Sequence, residues 1–298
     1  MKMIIDTDIG RDPDDFFALL WFISSGVDIK LVNISPGDAD QVAVCHLIRD
    51  QLDLDFPIGV GKLDRNKRSS GSIHYKMLKK YGYPLEHTHD GDGAELMKEA
   101  RDKDPDCHLF ICGPPISTGN YLKEYYPYSN STIPKATMQG GFLSYNLHGK
   151  HKVPVLDKFR DKITVPTFNM NGDVKGTIEF VNALIGDRRF VGKNVCHTIL
   201  YNQDVHEQVA PTLKVRDRAG ELFVEAMDMY LAKHSEKKFH DPAAAVSHFH
   251  PEIFGWVEGR PYRRDGGWGT DPMGMDKVAA NVDYNKLWQK IGFCDANY

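Results

Sequence analysis

Short apolar runs recur along the chain, each followed by a polar turn and a longer mixed segment, which is the pattern of strands alternating with helices. Met3-Ile-Ile5 reads as a buried strand, and Phe16-Phe-Ala-Leu-Leu-Trp-Phe-Ile23 as an amphipathic helix behind it. Ile29 to Ile34 predicts a second strand, 41–52 a helix, and Phe56 to Val60 a short strand. His108 to Cys112 predicts a strand with a helix through Tyr125, Val195 to Leu200 another strand, and 215–234 a long amphipathic helix. Lys277 to Asp283 reads as an edge strand, with a helix after it from Tyr284. Units of this βαβ spacing predict an α/β fold, Rossmann-like, with a mostly parallel central sheet flanked by helices. No linker composition interrupts the 298 residues, so a single domain over 1–298 is expected. One connection stands out: some thirty residues after Val60 are polar and rich in Lys, Gly and His, as in a lid or a disordered loop.

Composition narrows the partners. A net charge of −4 and a pI near 6.3 exclude bulk attraction to nucleic acid or anionic membrane and leave a small-molecule ligand. The longest apolar run, Phe16 to Ile23, is far below the roughly 20 residues that span a bilayer, and no signal peptide precedes the acidic segment at the start. Cys45, Cys107, Cys112, Cys196 and Cys294 are odd in number, scattered and without Cys-x-x-Cys spacing, as expected of reduced thiols in a cytoplasm.

The chemistry concentrates where the first strand ends. Asp6, Asp8, Asp12, Asp14 and Asp15 fall within ten positions, between strand and helix. At the carboxyl end of a parallel strand such a loop faces the ligand crevice, and crowded carboxylates there resist joint ionisation unless a cation neutralises them. Hard oxygen ligands suit Ca²⁺ or Mg²⁺. Asp14 as a helix N-cap and Asp15 in a first turn would account for one or two of the five, not for all. Asp38 ends the second strand and is either a cap of the next helix or a site residue. In His240-Asp241-Pro242 the proline disfavours the helical region for Asp241 and suits the first helical turn, which frees that carboxylate to face a cleft. His248-x-His250 lacks companion ligands for a transition metal and reads as structural.

Asp6-Thr-Asp8-Ile-Gly10 with Asp14-Asp15 resembles the amino-terminal signature of the inosine–uridine-preferring nucleoside hydrolases, Ca²⁺-dependent N-ribohydrolases, in a longer form with Asp12 and Pro13 before the final pair. Phe239-His240-Asp241-Pro242-Ala-Ala-Ala-Val246 is similar to the family's second signature, and Gly113-Pro-Pro-Ile-Ser-Thr-Gly-Asn120 to its Gly-Pro-Leu-Thr-Asn turn. Lys135-Ala-Thr-Met-Gln-Gly-Gly141 resembles its Met-Gly-Gly strand end, His89-x-x-Asp92-Gly93 its His-x-x-x-Gly segment over the base, and Val257-Glu-Gly259 its Val-Glu-Gly. The resemblance implies the nucleoside hydrolase fold, hydrolysis of an N-glycosidic bond in a nucleoside-like small molecule, and a homodimer or homotetramer. It places Ca²⁺ on Asp8, Asp15, Asp241 and the Ile116 carbonyl. Asp8 would be the base that deprotonates water, with the inserted Asp12 as a rival, and His240 the acid for the leaving group. Substrate would meet Asp14, Asp38, His89, Asp161, Thr167, Asn169 and Asp241. Where the family grips ribose with Asn, Glu and Asn, this chain offers Asp161, Thr167 and Asn169, and where the family has Gly-Asn it has Gly37-Asp38. Plain ribonucleosides are therefore expected to be poor substrates, with the basic insertion Ser144 to Lys162, including Lys150, Lys158, Arg160 and Lys162, as a compensating contact for an anionic group.

Two rival readings share the acidic start. In a haloacid-dehalogenase-type phosphatase Asp6 would be a phosphoryl nucleophile beside Mg²⁺, although His240-Asp241-Pro242 then has no role. A catalytically impaired nucleoside-binding relative would keep the metal and lose turnover.

Overall fold

In the computed structural model, which describes residues 1–61, 68–85, 87–129, 131–149 and 151–293, the opening strand lies inside the sheet rather than at its border. Lys150 and Cys294 lie outside the described residues. The strands are β1 (Lys2–Thr7), β2 (Asp28–Ile34), β3 (Ile58–Val60), β4 (Gly91–Asp92), β5 (His108–Ile111), β6 (Ile133–Gln139), β7 (Ile185–Val191), β8 (Leu200–Asn202), β9 (Glu236–Lys238), β10 (Phe254–Arg264) and β11 (Gly267–Val282). β8 and β9 form a separate ribbon; the other nine make one sheet in the order β10-β11-β7-β6-β5-β1-β2-β3-β4. Every pairing in it is parallel except the β10–β11 hairpin. The chain runs outward from β1 through β2 to β4, then returns and runs the other way from β5. The strand order thus reverses between β1 and β5, and the crevice at their carboxyl ends is the expected ligand position.

Side chains of β1 alternate between two cores. Met3 and Ile5 join Phe16, Phe17 and Leu20, while Ile4 joins Leu109, Ile111 and Met138 on the opposite face. The helix Pro13–Ser24 packs against helices Arg218–Leu231 and His240–Phe249. Nearly all its residues are buried, so the helix expected to be amphipathic from its sequence is a central one covered on all sides.

Four expectations require correction. Residues 193–196 form a helical turn, and the strand of this region is β7, whose sequence Ile-Gly-Asp-Arg-Arg-Phe-Val conceals it. Its charges are matched within the fold, Arg188 pairing with Asp276 at 2.8 Å and Lys277 with Asp187 at 3.1 Å. The helix expected over 215–234 is two, Gln203–Arg216 and Arg218–Leu231, divided at Asp217, whose side chain accepts from Gly220 N at 2.7 Å. Lys277 to Asp283 is not at the edge, because β11 lies between β7 and the edge strand β10. The polar connection after β3 contains the helix Ser72–Lys80. Among the described residues no helix is long and apolar enough to cross a membrane.

Candidate active site

The alternation along β1 separates Asp6 from the other aspartates. Asp6 shares the face of Ile4 and accepts hydrogen bonds from Thr118 N at 3.0 Å, Thr118 Oγ1 at 2.6 Å and Ser35 Oγ at 3.3 Å. Complete burial raises its pKa to about 7 against the pull of those bonds. Asp6 thus ties β1 to the first turn of helix Ile116–Glu124. It is not exposed to a substrate, and the phosphatase reading loses its nucleophile. Thr7 points the other way and donates to Asp15, while Ile9 N donates to Thr7 Oγ1 at 3.1 Å.

Two glycines shape the loop. Gly10 turns it at φ +98°, a conformation that side chains rarely adopt. A Cβ on Gly113 would stand 2.4 Å from Asp8 N, so glycine is required for the turn after β5 to pack against the end of β1. Gln41 braces the loop from behind, donating to Asp8 O at 3.1 Å and accepting from Asp38 N at 3.1 Å.

The result is a cleft of about 420 Å³. The first loop contributes Asp8, Arg11, Asp12, Asp14 and Asp15; Cys112 and Gln139 line it from the ends of β5 and β6, Phe168 and Asn169 from a short helix, and His240 and Asp241 from the start of helix His240–Phe249. Carboxylate oxygens of Asp14, Asp15 and Asp241 lie within 4.8 Å of one another, and all three residues are buried. Two stretches more than 200 residues apart in the sequence thus meet. Asn169 Nδ2 donates to Cys112 O at 2.8 Å and to Gln139 Oε1 at 2.8 Å, which joins the ends of β5 and β6 to the cleft floor.

Charge is distributed unevenly among these groups. Burial, then the charge of Asp15, raises Asp8 well above the usual carboxylate range; burial, then Asp14 and Asp15, does the same to Asp241. Asp15 is raised to about 7, by burial first and by Asp14 second. Asp14 differs. Burial would raise it too, but Lys237 Nζ at 3.4 Å and His240 Nδ1 at 3.2 Å outweigh that and hold it well below the usual range. Asp12 stands just before the helix, with Lys237 Nζ at 2.6 Å, and burial still raises it. Among the described residues the carboxylates of Asp14, Asp15 and Asp241 converge closely enough to offer a hard-oxygen set that fits a divalent cation, and Asp8 lines the same cleft beside them. His240 lies over His197, ring centroids 5.3 Å apart, and Lys158 Nζ is 2.7 Å from His197 Nδ1.

Several expected residues are not brought to the cleft. Ile116 opens its helix and lines a separate groove with Gly119, Asn120 and Gly172. Asp38 is buried at the start of helix Ala39–Gln51 and accepts from Ser69 Oγ, which makes it part of the support for the loop. His89 precedes β4 at the far end of the strand order, away from the β1–β5 crevice. Asp161 is exposed at a turn with φ +59°. Thr167 is buried behind the cleft wall and its N donates to Asn171 Oδ1 at 2.9 Å. Arg160 is exposed and paired with Asp157 at 3.0 Å, so it does not line the cleft. Conversely, Arg11, Cys112, Gln139, Phe168 and Lys237 were not anticipated. A lone arginine inside an acidic loop was the available signal for Arg11; Lys237, in Glu-Lys-Lys of β9, reads like any exposed strand.

The family model described as inosine-uridine preferring nucleoside hydrolase matches residues 3–289. An uncharacterized protein of Aquifex aeolicus is 28% identical over 264 residues, covering 86% of this chain and 84% of its own. Among solved structures, an inosine-guanosine nucleoside hydrolase superposes with a TM-score of 0.70 at 15% identity, covering 98% of each chain. The inosine-uridine preferring nucleoside hydrolase of Bacillus anthracis gives 0.70 at 15% over 99% of each. A plant nucleoside hydrolase gives 0.69 at 16%, over 100% of this chain and 99% of its own. At such identities the structural likeness speaks to the fold.

Proposed function

Because the chain belongs to the inosine-uridine preferring nucleoside hydrolase family, we propose that it hydrolyses the N-glycosidic bond of a nucleoside or related ribosyl compound in the cleft between β1 and β5. The observation that carries this reading is the meeting of Asp14 and Asp15 with Asp241, their oxygens within 4.8 Å. Asp8, Asp15 and Asp241, with Asp14 beside them, would hold the metal, Ca²⁺ by family likeness. Bound there, a hard divalent cation supplies an oriented water of lowered pKa.

The chain's own residues do the rest. Asp8 takes a proton from the attacking water; Asp12 is the poorer base because Lys237 occupies one of its oxygens at 2.6 Å. The C1′–N bond breaks with its electron pair going to the base nitrogen, and the water oxygen bonds to C1′. Positive charge developing on the ribosyl ring is stabilised by the surrounding carboxylates. His240 supplies the proton for the departing base. Its Nδ1 is oriented on Asp14 at 3.2 Å, and its Nε2 has no hydrogen-bond partner among the described residues.

The test is a screen of nucleosides and nucleotides for free base by chromatography, with Ca²⁺-loaded protein. The described cleft lining holds Asn169 but no glutamate, which favours a second reading in which the protein binds nucleosides without turning them over. A rise in Tm with inosine but no base from any compound would select it.

A further inference from the structure

Arg11 is the one basic side chain at the cleft whose charge is not taken up by a carboxylate contact among the described residues. Lys237 is held by Asp12 at 2.6 Å and Asp14 at 3.4 Å, and His240 by Asp14 at 3.2 Å. Arg11 instead lies over the ring of Phe168, with Cζ 5.3 Å from its centroid, at the cleft wall that both residues line. Phe168 is 60% exposed, unusual for a phenylalanine and not explained by packing. The contact places the guanidinium at the cleft wall, and among the described residues its N–H donors meet no protein acceptor, which leaves a planar fork able to take a carboxylate or phosphate in bidentate fashion. The cleft carboxylates would repel an anion placed among them, but a divalent cation and Lys237 offset much of that charge, which leaves the Arg11 side attractive. The volume of about 420 Å³ is in the range of small-ligand sites.

We propose that Arg11, carried on Phe168, binds an anionic group of the substrate, so that the substrate class is a nucleoside bearing a phosphate monoester or a carboxylate. This rests on the hydrolase reading above. It also moves the expected anion contact from Arg160 and Lys162 of the insertion to the metal loop itself.

The test compares kcat/KM for inosine, uridine, their 5′-monophosphates and orotidine, using Ca²⁺-loaded full-length protein as wild type, Arg11→Ala and Arg11→Lys. Charged compounds should exceed their neutral counterparts by about tenfold to a hundredfold, the scale of one charge-assisted contact. Arg11→Ala should remove that preference, mainly through KM, and Arg11→Lys should keep part of it. A preference for the monophosphates puts the anion on the sugar, and one for orotidine puts it on the base. Equal rates for charged and neutral compounds overturn the proposal while hydrolysis stands. So does an equal loss on both classes in Arg11→Ala, since Arg11 would then act only through its charge on Asp8. If no compound releases base, the hydrolase reading fails, and calorimetric titration still decides the anion site. Tighter binding of inosine 5′-monophosphate than of inosine, lost in Arg11→Ala, supports it, and equal affinities overturn it.

Discussion

Lys237 Nζ stands 2.6 Å from Asp12 Oδ1 with its own side chain only 5% exposed. A cation so buried is stable only because Asp12 and Asp14 face it, and together they fasten the acidic loop to β9. Lys237→Met should cost roughly 3 kcal/mol, the low end for breaking a buried pair because Asp12 is half exposed. Urea unfolding measures it. A loss below about 0.5 kcal/mol, ordinary for surface changes, would mean the pair does not hold the loop.

Asp8→Asn keeps volume and removes the proton acceptor. Turnover on any substrate found should fall by at least about a hundredfold, while the urea midpoint changes little. Undiminished turnover would transfer the role to Asp12.

The buried acids predict how metal-free protein responds to pH. Asp15 is raised to about 7, and Asp8 and Asp241 are raised as well, so the folded state binds more protons than the unfolded chain. Stability from these groups is complete below the ordinary carboxylate value of about 4 and is lost as pH rises through about 7. The Tm of chelator-treated protein should therefore fall between about pH 5 and 8. Ca²⁺ replaces those protons, so the Tm gain on adding it should grow over the same window. Calorimetry with and without chelator reads both, and a gain that shrinks with rising pH contradicts the assignment.

Asp241 and Asp6 should respond oppositely to replacement by asparagine. In wild type, Ca²⁺ at a hundredfold excess over its Kd should stabilise by about 2.7 kcal/mol. Asp241→Asn should abolish most of that gain. Asp6→Asn should lower stability through Thr118 and Ser35 yet preserve the response to Ca²⁺, since Asp6 lies on the other face of β1. Loss of the response in Asp6→Asn would show that the two faces are not separable.

What the sequence by itself determined lies close together along the chain. Met3-Ile-Ile5, five aspartates and an apolar run specify strand, acidic turn and helix, because those preferences depend on neighbours within a few residues. His240-Asp241-Pro242 likewise starts a helix with its proline in the first turn, although Asp241, for which that proline was expected to disfavour helical backbone, is itself the second residue of the helix. Even the division of labour within β1 follows from its period of two, which turns Asp6 from the cleft and Thr7 toward Asp15. Only the tertiary structure decided which distant groups share a charge. It sets Asp241 beside Asp14 and Asp15, inserts Lys237 beneath Asp12, and lays Arg11 on Phe168. It also keeps the side chains of Ile116, Asp38, His89 and Asp161 out of the cleft lining, although the family resemblance placed them there. The physical reason is that a polar side chain acquires its role from the burial and opposing charge around it, and those are supplied by segments far away in sequence. The same holds for β7, where Arg188 becomes acceptable in a sheet once Asp276 arrives from β11, and for helix Pro13–Ser24, which is central only because two later helices enclose it.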